Sequence, residues 1–168
     1  MKKTISASLI LVGGARVCVV AVSLGGVSIS FISRYVQPMK GVGSAEIGRA
    51  LKMLDNEHQK FLGMDGNGHS PVWGPSLVDS NPQGILLENL LASENLFVIN
   101  APDSPPTYVG DDGRHSWLNV TAISAGLMEQ VADWHVEEDA GLSSDHALIS
   151  WELLVCSPNT AIRHRRNW

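Results

Sequence analysis

Positive charge is scarce in this chain. Lys and Arg number 12 against 17 Asp and Glu, a formal net charge of -5 over 168 residues. Phosphate contacts reward Lys and Arg, so this balance argues mildly against a free-standing nucleic-acid binder. It leaves a nuclease open, because a metal site is itself built from acids. The basic cluster at Arg163, His164, Arg165 and Arg166 reads as a solvated tail sooner than as a DNA-contacting arm. Cysteine is nearly absent. Cys18 and Cys156 both sit in apolar stretches, so the expectation is buried free thiols, with no metal-ligand spacing and no need for an oxidising compartment. Long apolar runs are missing too. The uncharged stretch from Val17 to Ser33 falls just short of a membrane span and contains Gly25-Gly26, which suits a hairpin of two apolar strands better. Repeats, low-complexity segments and a dividing linker are also absent. With 44% hydrophobic and 17% charged residues, the composition is that of one globular domain with a real core.

The first residues allow two readings. Met1-Lys2-Lys3-Thr4 followed by Ile5 to Val12 has the basic start and apolar run of a signal peptide. Gly13-Gly14 and Arg16 interrupt that run, and Val27 to Phe31 then alternates with period two. Residues 1–12 are therefore expected to form a first strand, with a small secreted protein as the alternative. Strands are predicted over residues 16–24, 27–36, 60–65, 95–100, 106–109, 116–123, 131–137 and 147–155, from β-branched and aromatic content between Gly, Pro, Asn and Asp. Helices are predicted over 44–57, with Ile47, Leu51 and Leu54 on one face, and over 82–94. The second opens on Asn81-Pro82, an N-cap followed by proline, and its apolar face is read as Ile85, Leu86, Leu90 and Leu91, interrupted by Asn89. This is an α+β or mixed α/β pattern with sheets packed face to face.

Two segments could carry chemistry. A short apolar strand runs into Asp65-Gly66-Asn67-Gly68-His69. Residues two apart on an extended chain face the same way, so Asp65 and Asn67 would point together and could orient a water or a phosphate oxygen. The same residue types also make ordinary turns. Later, Ser143-Ser144-Asp145-His146 enters an apolar strand. Asp145 could ligate a hard divalent cation and His146 could hydrogen-bond or protonate a phosphate oxygen, although a polar strand start is the plain alternative.

The two halves in this order resemble the endonuclease/exonuclease/phosphatase superfamily, which includes the apurinic endonucleases. More closely, they look like the endonuclease domain that precedes a reverse transcriptase in non-LTR retrotransposon polyproteins. The carrying segments are Gly63 to Gly74, Pro106-Thr107-Tyr108, Ser116 to Ser124, Val131 to Val136 and Ser143 to Ile149, with Arg34-Tyr35 upstream. The resemblance implies an α/β (α+β) fold of two packed mixed β-sheets flanked by helices, a four-layer sandwich of the apurinic-endonuclease and DNase-I type. It implies residues 13–155 as a partial domain of that kind, incomplete at the N-terminus, with 156–168 as a basic tail. It implies metal-dependent nicking of DNA with Mg²⁺ or Mn²⁺, and no small-molecule cofactor or membrane partner. A reverse transcriptase would belong to the parent polyprotein, and the place of action would be inside the cell, in the nucleus.

The resemblance also assigns roles. Asp65 would align or deprotonate the attacking water, and Asn67 would hold Asp65 and a phosphate oxygen. Asp145 would serve the metal, and His146 would contact the scissile phosphate. Tyr35 lies where the family has a phosphate-contacting tyrosine, with strand packing as the alternative. His69 would contact substrate, and Trp73 suits packing better than DNA contact. Three departures stand out. The family's early segment, with an asparagine and the main metal-binding glutamate, has no counterpart before Glu46. Asn119 stands where the family has an aspartate that orients the histidine, and a neutral amide supports an imidazolium less than a carboxylate does. Gly66 replaces a bulkier residue, which is expected to loosen the loop. An impaired nuclease is therefore expected, with a catalytically inactive remnant or binding module of the same fold as the alternative.

Overall fold

The computed structural model describes residues 5–13, 16–24, 27–37, 48, 51–52, 54, 58–137 and 144–154. Six strands form one sheet: β1 (Ile5–Gly13), β2 (Val17–Leu24), β3 (Val27–Tyr35), β4 (Gln59–Asp65), β5 (Leu96–Val98) and β8 (Asn119–Ser124), in the order β1-β2-β3-β4-β8-β5. Its ladders are antiparallel except where β3 runs parallel to β4. Two small sheets complete the strands: β6 (Tyr108–Val109) with β7 (His115–Ser116), and β9 (Val131–Glu137) with β10 (Leu148–Leu153). The helix α1 spans Pro82–Ser93.

The large sheet is covered on both faces, and its side-chain period of two decides which residue goes where. Val17, Val19, Ile32, Leu62, Met64, Val120 and Ala122 point to one face and pack with Leu87, Leu90 and Leu91 of α1 and with Leu51 and Leu54. Ile29, Phe61 and Ile123 point to the other and pack with Leu127 and with Val131, Trp151 and Leu153 of the β9–β10 hairpin. The Trp151 ring lies 4.1 Å from that of Phe61 and stacks on Phe31 at 5.8 Å. Helix, large sheet and hairpin thus form successive layers, in a sheet-dominated α+β fold.

Most predicted elements appear, with four differences. The strand predicted over 95–100 ends at Val98, because the Asn100 side chain takes over the ladder: its Nδ2 donates to the Asn119 carbonyl at 2.9 Å, and its Oδ1 accepts from the Thr121 N–H at 2.8 Å. The strand predicted over 106–109 shortens to Tyr108–Val109, after Pro105-Pro106, which have no N–H to pair. The strand predicted over 116–123 is two strands, broken where the Trp117 indole turns to the Ser104 carbonyl at 2.9 Å and the Leu118 carbonyl turns to Gly66 at 2.8 Å. In α1 the buried residues are Gly84, Leu87, Leu90 and Leu91, while Ile85 and Leu86 are exposed. Of the helix predicted over 44–57, Gly48, Leu51 and Lys52 are helical, Leu51 and Leu54 are buried, and Ile47 lies outside the described residues. Cys18 is a free thiol but only half-buried; Cys156 and the basic tail lie outside the described residues.

Candidate active site

The ends of three neighbouring strands carry the site. In the ladder register Tyr35 of β3 sits opposite Asp65 of β4, and Asp65 sits opposite Asn119 of β8. All three fall on the face turned toward the β9–β10 hairpin, in step with Phe31, Phe61 and Ile123, whose apolar side chains fill that layer further along. An open cavity of about 660 Å³ lies along this face, lined by the apolar Phe31, Phe61 and Trp151 and, toward the strand ends, by Tyr35, Asp65, Asn119 and His146. His146 enters from the segment just before β10.

That segment is tied down on both sides. Ser144 Oγ accepts the His146 N–H at 3.1 Å. The Asp145 carbonyl accepts from Val109 at 2.9 Å, and the Ala147 N–H donates to the Thr107 carbonyl at 3.1 Å. Thr107 is fully buried and also holds Asn119: its Oγ1 accepts the Asn119 N–H at 3.0 Å, and its carbonyl accepts from Asn119 Nδ2 at 3.4 Å. With Nδ2 so used, Asn119 Oδ1 faces His146 Nδ1 at 3.0 Å. An amide oxygen only accepts, so this network assigns the proton to Nδ1. Nε2 is left facing Asp65 Oδ2 at 3.7 Å.

Asp65 is held in turn by the loop that follows it. The Asn67 N–H donates to Asp65 Oδ1 at 3.2 Å, and Asn67 adopts a left-handed φ of 46°, which asparagine tolerates better than most residues. Asn67 Nδ2 donates to the Val36 carbonyl at 2.9 Å, so the backbone of Asn67 grips Asp65 while its amide ties the loop to the end of β3. Gly66 does not loosen this loop. A Cβ there would meet Leu87 Cδ1 at 2.8 Å and the Leu118 carbonyl at 3.3 Å, so glycine is what lets the loop pack so closely.

Burial pushes the Asp65 carboxyl above its ordinary value, against the opposing pull of His146 and Asn67. A raised folded-state pKa means that folding favours the protonated form. The associated stability is present below the unfolded value and is lost as pH rises through the folded one. At neutral pH the ionised Asp65 is therefore a net cost to folding. Asp65→Asn is expected to raise the urea midpoint at pH 7, with the gain shrinking as pH falls through the raised folded-state value and gone below about 4, where the unfolded carboxyl is protonated as well. Paired urea titrations at the two pH values check this; a variant less stable than the parent at pH 7 would contradict it.

The structure brings Asp65, Asn67, Asn119, His146 and Tyr35 into one neighbourhood. Tyr35 is 45% exposed at the cavity wall, where a packed strand residue would be covered. His69 and Asp145 do not line the cavity. The His69 backbone is bonded to Asn81 at the start of α1, at 3.2 and 3.1 Å, and Asp145 is exposed beside His146. Trp73 is fully buried, with its indole N–H on the Gly68 carbonyl at 3.1 Å: it is packing. Sequence reasoning gave no role to Thr107 or Tyr108, although Pro106-Thr107-Tyr108 stood out as a segment. Its signal was a threonine and a tyrosine directly after two prolines that end any ladder.

A divalent cation is what the resemblance implies here, and the donor set does not fit it well. Among the described residues no group of three or more His, Cys, Asp or Glu side chains converges. Asp65 already faces His146, which leaves the exposed Asp145 as the carboxylate available beside it.

A match to the endonuclease-reverse transcriptase family spans residues 29–150. The chain belongs to that family, which places it in the endonuclease/exonuclease/phosphatase superfamily. Within the family its resemblances run to non-LTR retrotransposons. It is 30% identical over 115 residues to the retrovirus-related Pol polyprotein from type-1 retrotransposable element R1 of Bradysia coprophila. That match takes in 61% of this chain and 11% of the relative's length. Among solved structures the chain is similar to the endonuclease domain of TRAS1, a telomere-specific non-LTR retrotransposon, with a TM-score of 0.72 and 24% identity over 86% of this chain and 67% of that one. It is also similar to the AP endonuclease LMAP from Leishmania major, with a TM-score of 0.61 and 15% identity over 82% of this chain and 54% of that one. A third is an endonuclease/exonuclease/phosphatase family protein from Leptotrichia buccalis, with a TM-score of 0.59 and 17% identity over 89% and 60%. These likenesses establish the apurinic-endonuclease and DNase-I type of fold. Among the described residues no helix is long and apolar enough to cross a membrane.

Proposed function

We propose that this chain is the endonuclease domain of a non-LTR retrotransposon and hydrolyses phosphodiester bonds of target DNA, with low turnover. The observation that carries this reading is the His146 imidazole, held by Asn119 on Nδ1 and turned with Nε2 toward Asp65 at the mouth of an open cavity. A phosphate seated there meets groups suited to its hydrolysis. Asp65, made more basic by burial, aligns a water and accepts its proton. When protonated, His146 donates from Nε2 to a phosphate oxygen as negative charge builds on it. Tyr35 offers a hydroxyl from the neighbouring strand. The parent protein carries a reverse transcriptase, and the domain acts in the nucleus, where its DNA substrate lies.

Two features keep turnover low. Asn119 brings no charge to the imidazolium, and the donor set for Mg²⁺ or Mn²⁺ is thin, with Asp145 the residue expected to serve it. These same features favour the second reading, a non-catalytic module of the same fold. Supercoiled plasmid incubated with the purified chain and Mg²⁺ or Mn²⁺ tests both. The expected result is slow nicking, abolished by EDTA and accelerated at least about tenfold by Asn119→Asp, because the orienting carboxylate is restored. A cooperatively folded chain whose parent and Asn119→Asp forms both leave the plasmid intact would favour the non-catalytic reading.

A further inference from the structure

We propose that Tyr108 is a positioning residue that sets the plane of the His146 imidazole; this rests on the reading of His146 as the phosphate-contacting group. The imidazole is held at its Nδ1 edge by Asn119 and faced at its Nε2 edge by Asp65. Neither contact stops the ring from tilting about the line between them, and the His146 side chain is 35% exposed on the open side of the site.

Tyr108 supplies the missing restraint. Its ring meets that of His146 edge-on, with centroids 4.9 Å apart and planes at 61°, an arrangement that aromatic quadrupoles favour. The backbone fixes the pair as well. Tyr108 and His146 form an isolated antiparallel bridge, bracketed by the bonds Val109 to Asp145 at 2.9 Å and Ala147 to Thr107 at 3.1 Å. The tyrosine therefore moves with the histidine. The ring also lies beside Gly110, where a Cβ would stand at ordinary van der Waals distance, 3.5 Å from Tyr108 Cε1. The ring, and not the hydroxyl, makes the contact, so phenylalanine should replace tyrosine without loss and leucine should not.

Nuclear magnetic resonance of the ¹⁵N-histidine-labelled chain, with nicking kinetics, tests this. In the unmodified chain the ring protons of Tyr108 and His146 should show a mutual Overhauser effect. Tyr108→Phe should keep the His146 ring resonances and the nicking rate. Tyr108→Leu should shift those resonances and lower kcat about tenfold, because misaimed groups lose rate steeply. KM should stay within about twofold, because substrate binding is untouched. No Overhauser effect in the parent chain overturns the proposal, as do His146 resonances that Tyr108→Leu leaves in place. A Tyr108→Phe variant as altered as Tyr108→Leu also overturns it. If Tyr108→Leu does not fold, the parent chain and the Phe variant decide. If no form nicks DNA, the reading of His146 falls, while the resonance data still decide whether Tyr108 holds the ring.

Discussion

Asp65→Ala should lower the rate of plasmid nicking by about a hundredfold or more, the range that loss of a positioned acid or base commonly costs. Asp65 is the carboxylate that faces both His146 and the cavity. Its neighbours in the ladder, Tyr35 and Asn119, offer a phenol and an amide, and neither supplies a second carboxylate in its place. His146→Ala should cost a similar factor, and the double variant little more than either alone, because groups that act on one reacting phosphate do not add. First-order rates of plasmid relaxation for the three variants check this, with urea titrations to confirm folding. A folded Asp65→Ala chain that nicks within about threefold of the parent would remove Asp65 from the chemistry. The stability measurement runs in the opposite direction: replacing Asp65 with asparagine at neutral pH should strengthen the fold. A residue that weakens its fold while serving its reaction is the usual trade at an active site.

The sequence shows some of these relationships and hides others. Tyr35 and Asp65 fall at the ends of predicted strands, but Asn119 falls inside the strand predicted over 116–123, and its place at a strand end beside Asp65 comes only with the fold. The bond from Asn119 to His146 spans residues 27 apart, and only the resemblance suggested that those positions meet. The face of α1 was not readable. Ile85, Leu86, Leu87, Leu90 and Leu91 offer more than one apolar stripe. The choice is made by the close approach of Gly84 to His69, which turns Leu87 and Leu91 inward. Thr107 and Tyr108 were hidden for a different reason: β6 is two residues long, too short for any period, and its importance lies in backbone bonds to distant segments. Asn100 reads as the last residue of a strand, whereas it is its side chain that continues the pairing.

Trp73→Ala should destabilise the chain by about 3–5 kcal/mol, the usual cost of emptying a fully buried aromatic site. Against a total of about 5–15 kcal/mol for a domain, that is enough to leave much of the chain unfolded at 37 °C if the parent lies near the lower end. The indole is fully buried within the helix-side core, and its N–H is bonded to the Gly68 carbonyl, three residues after Asp65. It therefore joins that core to the loop that grips the Asp65 carboxylate. The opposite wall of the loop is α1, and it is just as close. A Cβ on Gly84 would lie 1.9 Å from the His69 carbonyl oxygen, and one on Gly68 would lie 2.9 Å from the Gly84 nitrogen. Gly84→Ala thus forces backbone apart and should cost about 1–3 kcal/mol or more. Trp73→Phe keeps much of the volume, loses the indole hydrogen bond and should cost least of the three. Urea midpoints at constant slope should follow that order, Trp73→Ala lowest and Trp73→Phe nearest the parent. Equal midpoints for Trp73→Ala and Trp73→Phe would mean the site collapses around the missing ring. In that case the loop after Asp65 is held from the α1 side alone, and Gly84→Ala becomes the variant that should release Asp65 and slow nicking.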